Sequence, residues 1–155
     1  MLEHINLILL DMFNYYIVKG VKPNREIKEP EPKAGYTAQQ LVQYMVAQGW
    51  VKNPKYRPGK ITCTLDIGGI EQADPDYFTN HIDKVITCLY QERARMNIHD
   101  ILDFPSSHLE RSMDIVSSIE RRQLLYAVQV TGGGQIAEIS PQGIVYYESR
   151  KADFM

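Results

Sequence analysis

Sliding the 155-residue sequence against itself by 74 positions brings apolar residues into register along nearly its whole length. Ile8, Met12, Tyr15 and Tyr16 fall on Ile82, Ile86, Leu89 and Tyr90. Leu41, Val42, Met45, Trp50 and Val51 fall on Ile115, Val116, Ile119, Leu124 and Leu125, and Leu65, Gly69 and Ile70 fall on Ile139, Gly143 and Ile144. A fixed internal period of this kind constrains a fold more than composition does, because each copy must build the same unit from the same pattern. Two offsets account for 148 residues, so two modules are expected, 1–74 and 75–155, the second ending in a short tail.

Each copy has the same parts in the same order. The first opens with a helix over residues 3–19, in which Ile5, Leu9, Met12 and Tyr16, with Leu10, Phe13 and Ile17, recur at helical spacing. The second opens at Asp74-Pro75, a cap followed by a residue suited to the first helical position, and its helix is expected over 75–95 with Phe78, Ile82, Val85, Ile86 and Leu89 inward. A brief helix capped by Asn97 follows, then a longer one starting at Ser106 or Ser107, where Glu110 completes a capping box with Ser107. In copy one Pro23, Pro30 and Pro32 forbid a long helix, so the short helix gives way to a loop before "TAQQLVQYMVAQGW", which Gly49 ends. Both copies close in a β-hairpin. Ile61, Cys63, Leu65 and Ile67 alternate after a turn-rich stretch, and "LLYAVQV" and "QIAEI" flank Gly132, Gly133 and Gly134. "LDIGGI" and "ISPQGI" then occupy one corner of two homologous modules, where a strand leaves the sheet.

The residues "LVQYMVAQGWV" followed by "ITCTLDIGGI", and "MDIVSSIERRQLL" followed by "IAEISPQGIVYYE", resemble the winged-helix variant of the helix-turn-helix module. Copy one departs from that pattern by its proline-rich insertion. The resemblance implies an α+β protein of two tandem winged-helix modules, each a three-helix core with a hairpin wing. It also implies binding of duplex DNA, with the longer helix in the major groove and the wing on a phosphate backbone. Winged-helix modules also serve as protein-interaction adaptors, so a protein partner is the alternative expectation.

Two sets of residues are candidates for DNA contact. The wing "KNPKYRPGK" sets Lys52, Lys55, Arg57 and Lys60 around Tyr56 with no acid among its nine residues. The longer helix of copy two carries Ser107, Arg111, Asp114, Ser118 and Arg121 at helical spacing opposite its apolar face, with Arg122 beside them. Arginine can bridge guanine acceptors or clamp a phosphate, and serine hydroxyls suit phosphate oxygens. The matching face in copy one, Thr37, Gln40, Tyr44 and Ala47 with Gln39, Gln43 and Gln48, has no cation and suits protein contact equally well.

Charge tempers the DNA expectation. The net charge is −2, and it divides as +1 over residues 1–74 (nine basic, eight acidic) and −3 over 75–155 (eight basic, eleven acidic), so strong binding requires the cations to be gathered on one face. The four histidines and two cysteines show no metal-ligand spacing, and "TGGGQ" lacks the Lys-Ser/Thr of a phosphate-binding loop. No enzyme, cofactor or metal is expected, and Cys63 and Cys88 are read as buried thiols. The opening "MLEHINLILLDMFNYYIVKG" is interrupted by Glu3, His4 and Asp11 and lacks a basic leader, so it is read as a core helix of a cytoplasmic protein without membrane contact, monomeric or homodimeric.

Overall fold

A computed structural model describes residues 1–150; residues 151–155 of the expected tail lie outside the described residues. The chain divides into two compact units, Met1–Pro75 and Asp76 onward. Among the described residues there are seven α-helices and two small three-stranded sheets, a mixed α+β architecture.

In the first unit, α1 (Leu2–Lys19) buries Ile5, Leu9, Met12, Phe13 and Tyr16 and ends on left-handed Gly20. Leu10 stays exposed, so the buried stripe is narrower than the sequence pattern suggested. The proline-rich segment holds a short strand, β1 (Asn24–Glu26), and one 3-10 turn, Pro32–Ala34, in place of an α-helix. α2 (Ala38–Ala47) starts at Thr37, whose side chain accepts from the Gln40 amide while the Gln40 side chain accepts from the Thr37 amide. It buries Leu41, Val42 and Met45, and Gly49, at φ 76°, turns the chain out of it. β2 (Val51–Arg57) and β3 (Lys60–Leu65) form the hairpin, and α3 (Ile67–Ala73) follows.

Two expectations change here. The stretch 52–57, read as turns, is mostly strand, and its Asn-Pro sequence is absorbed by a β-bulge between Lys52 and Lys55 in which Asn53 takes φ 53°. Ile67 is helical and not a strand residue, because Asp66 caps α3 by accepting from the Ile67 amide at 2.8 Å. The sheet order is β1-β3-β2, so the hairpin has a third strand that sequence patterning did not indicate.

The second unit repeats this plan. α4 (Tyr77–Glu92) buries Phe78, Ile82, Val85, Ile86 and Leu89 as expected, but it begins after Asp76, and Asp74 instead closes α3. β4 (Met96–Asn97) is short; α5 (Ile98–Leu102) is capped by Asn97, which accepts from the His99 amide at 2.9 Å. Ser106–His108 form a 3-10 turn and α6 runs Leu109–Arg121 from His108, with no side-chain cap bond. The Ser107–Glu110 capping box does not form, since Ser107 lies inside the 3-10 turn rather than ahead of the helix. β5 (Leu125–Thr131), β6 (Gly134–Ile139) and α7 (Pro141–Ser149) complete the unit, with sheet order β4-β6-β5.

The corner after the hairpin is built identically in both units. The Asp66 amide donates to the Trp50 carbonyl at 3.0 Å, and 74 residues later the Ser140 amide donates to the Leu124 carbonyl at 3.1 Å. Gly69 and Gly143 sit on these carbonyls: an added Cβ would lie 2.2 Å from Trp50 O and 2.5 Å from Leu124 O. The bulges also match, Lys52/Lys55 with Tyr126/Gln129, and Ala127 takes φ 54° where Asn53 takes 53°. The 74-residue period is therefore a repeat of backbone geometry as well as of pattern.

α7 is held to α4 by polar groups. The Tyr146 hydroxyl donates to Asp83 Oδ1 at 2.5 Å, and Arg150 Nη2 donates to Asp83 Oδ2 at 2.7 Å. Burial, then the bond to Asp83 and its charge, push the Tyr146 phenol up to about 12, with Arg150 and Arg122 pulling weakly the other way. A phenol raised above its ordinary value of about 10 stabilises the fold fully below pH 10 and loses that contribution as pH rises through 12. The melting temperature of the wild type should therefore fall more steeply between pH 9.5 and 12 than that of Tyr146→Phe. Parallel curves for the two proteins would show that the hydroxyl is not linked to folding.

Candidate nucleic-acid interface

The first sheet has one face toward its core and one toward solvent. Leu65 and Cys63 on β3 are buried and Ile61 half-buried, and Val51 pairs with Leu65 and Tyr56 with Ile61, so these residues share the inner side. Burial pushes the Cys63 thiol up to about 11, which leaves it an unreactive core group. Cys88 is half-buried, with its sulfur 3.9 Å from that of Met96.

On the outer side the register sets Lys52 opposite Thr64, Lys55 opposite Thr62 and Arg57 opposite Lys60. The bulge matters, because the extra residue between Lys52 and Lys55 keeps both cations on one face where uninterrupted alternation would separate them. All four wing cations thus project from one side of the hairpin, beside Thr62 and Thr64. Asn24 on β1 joins them, donating to the Thr64 hydroxyl at 2.9 Å, and Glu26, opposite Thr62, is the acid of this face. Lys55, Arg57 and Lys60 are exposed and Lys52 is half-buried. A cleft of about 420 Å3 at the hairpin tip is lined by Lys28, Arg57 and Lys60 but also by Glu26 and Glu29, so it is mixed in sign. Cationic character belongs to the open sheet face.

Tyr56 does not belong with these cations. It lies on the opposite side of the strand, paired with Ile61, and desolvation followed by the nearby Cys63 raises its phenol. It remains 43% exposed at the hairpin end, but it cannot share a phosphate with Lys55 and Arg57.

The expected stripe on α6 is interrupted at its middle. Arg111 is only 7% exposed and Ser118 3%, with Asp114 also buried. Arg111 turns inward: its Nε donates to the Tyr77 hydroxyl at 3.0 Å, its Nη1 lies 3.1 Å from His108 Nδ1, and its guanidinium stacks 4.0 Å from the Phe104 ring centre. Tyr77 comes from α4 and Phe104 from the loop before the helix, so a reading of α6 alone could not see that this cation has an aromatic and hydroxyl lining. Ser112 is likewise used internally, 2.5 Å from His99 Nδ1. The exposed side of α6 carries Met113, Ser117, Glu120 and Arg121 instead. Of the residues expected there, Ser107, Arg121 and Arg122 are exposed, Ser107 at the start of the segment and the two arginines at its end.

α2 behaves as read from sequence: Thr37, Gln39, Gln40, Gln43, Tyr44, Ala47 and Gln48 are all exposed, and Tyr44 meets Trp50 edge to face at 5.8 Å. The second hairpin, at the positions matching the wing cations, presents Tyr126, Gln129, Thr131 and Gly134, none of them charged.

The chain matches no protein-family model, no curated protein and no solved structure. Among the described residues no helix is long and apolar enough to cross a membrane, and no group of three His, Cys, Asp or Glu side chains could hold a metal ion.

Proposed function

We propose that the protein binds duplex DNA through its first unit, as one of two tandem winged-helix modules. The observation that carries this reading is the gathering of Lys52, Lys55, Arg57 and Lys60 on one solvent face of the β2–β3 hairpin. Four cations on one sheet face can each neutralise a phosphate, and the neighbouring Thr62, Thr64 and Asn24 supply neutral hydrogen-bonding groups for the same backbone. α2, preceding the hairpin, is the helix that would enter the groove, where glutamine can pair with adenine. The second unit contributes Arg121 and Arg122 at most, since Arg111 and Ser118 are structural.

Fluorescence anisotropy of a labelled duplex tests this directly. With four phosphates neutralised, affinity should fall about 100-fold between about 50 and 200 mM salt. In Lys55→Ala/Arg57→Ala/Lys60→Ala the same change of salt should cost only about three- to fourfold, since one contact remains. No binding at low salt by folded protein, or a salt slope unchanged in the triple variant, would overturn the reading. The second reading, a protein-binding adaptor, is favoured by the uncharged glutamine and tyrosine face of α2.

A further inference from the structure

The outer edge of the second sheet differs sharply from its counterpart in the first. In the order β4-β6-β5, strand β5 has one side without a strand neighbour among the described residues, as β2 does in its own sheet. β2 carries Lys52, Pro54, Lys55 and Arg57 along that edge, residues that repel an approaching strand or cannot donate to it. At the four equivalent positions β5 carries Tyr126, Val128, Gln129 and Thr131. No charged residue occurs anywhere from Leu124 to Ala137, and Tyr126 and Val130 are 61% and 74% exposed. Fold and bulge are the same in both units, so the difference between the two edges is one of side-chain chemistry alone.

We propose that β5 is the interface with a second copy of this chain, the two β5 strands pairing antiparallel about a two-fold axis to join their sheets into one of six strands. Charge selects this occupant. A strand whose charges are all of one sign sets cations near cations when it meets its own copy, which disfavours self-pairing by β2, with Lys52, Lys55 and Arg57, and does not arise for β5. The bulge fixes where pairing occurs: Ala127 is left-handed and its carbonyl accepts from Arg95 Nη2 at 3.3 Å, so the regular segment beyond it is the part that pairs. An axis through Val130 keeps the sheet faces matched across the junction. It sets Val130 against the partner's Val130 and Gln129 against the partner's Thr131, covering the most exposed apolar residue of the strand.

Sedimentation equilibrium at high micromolar concentration should give twice the 17.8 kDa chain mass for the wild type and the single-chain mass for Val130→Lys. A second variant, Val128→Pro/Gln129→Lys, transfers to β5 the residues that the first unit carries at the same bulge, and should also be monomeric. It guards against a misfolded Val130→Lys, because that backbone already accommodates the transferred residues; circular dichroism confirms folding of both. A monomeric wild type, or a dimer that survives in either folded variant, overturns the proposal.

Discussion

Gly69→Ala should lower the melting temperature of the first unit by roughly 12–24 °C, and Gly143→Ala should do the same to the second. Helix propensity alone favours alanine over glycine by about 1 kcal/mol at either helical position. The clash outweighs it. A Cβ placed 2.2 Å from Trp50 O, or 2.5 Å from Leu124 O, meets backbone that cannot step aside without breaking the corner bonds from the Asp66 or Ser140 amide. Overpacking against immobile backbone takes the upper end of a range of about 1–3 kcal/mol, and a lost buried hydrogen bond adds about 1, which the gain in propensity offsets. A net loss near 3 kcal/mol in a unit of this size gives the stated shift. Gly133→Ala, where an added Cβ meets nothing within 4 Å, is the matched control and should be near neutral. A Gly69→Ala protein that melts with the wild type would show that the corner is not a close-packed joint.

Arg111→Ala should destabilise the second unit by about 3–5 kcal/mol while leaving the salt dependence of DNA binding unchanged. The guanidinium is buried against Phe104 and Tyr77 and shares polar contacts with the Tyr77 hydroxyl and His108. Its removal leaves a cavity and leaves the Tyr77 hydroxyl and His108 each one partner short, at about 1–3 kcal/mol for a buried polar group so left. Chemical denaturation followed by circular dichroism reads the first effect and anisotropy the second. Unchanged stability together with a reduced salt slope would restore Arg111 to the DNA-contacting surface.

Those three residues show where the sequence is legible and where it is not. Gly69 and Gly143 could be paired because a duplicated backbone leaves the same small residue at the same offset, whatever happens to the surface around it. Arg111 is misplaced by the sequence pattern because helical periodicity assigns every cation to the solvent side, whereas its lining comes from outside the helix, from Phe104 and from Tyr77, 34 residues earlier in the chain. β1 and β4 leave no pattern in the sequence because strands of three and two residues have no room for alternation. The edge β2 reads as turns in the sequence because Asn53, Pro54, Pro58 and Gly59 are turn formers, here used at a bulge and at a hairpin end. The wing cations were visible as residues; their common face depended on a one-residue bulge that composition does not encode.

The shared corner also separates shape from surface. Its closing bonds run from backbone amide to backbone carbonyl, and its close approach requires a glycine, so nothing in it depends on which side chains decorate the hairpin beyond. Residues 52–60 and 126–134 therefore form hairpin arms of equal length on the same mount. One copy could drift toward a cationic strip and the other toward a bare, neutral strand without disturbing the corner beneath. Duplication in this chain supplied two mounts of one shape, and the chemistry fitted to each became an independent variable.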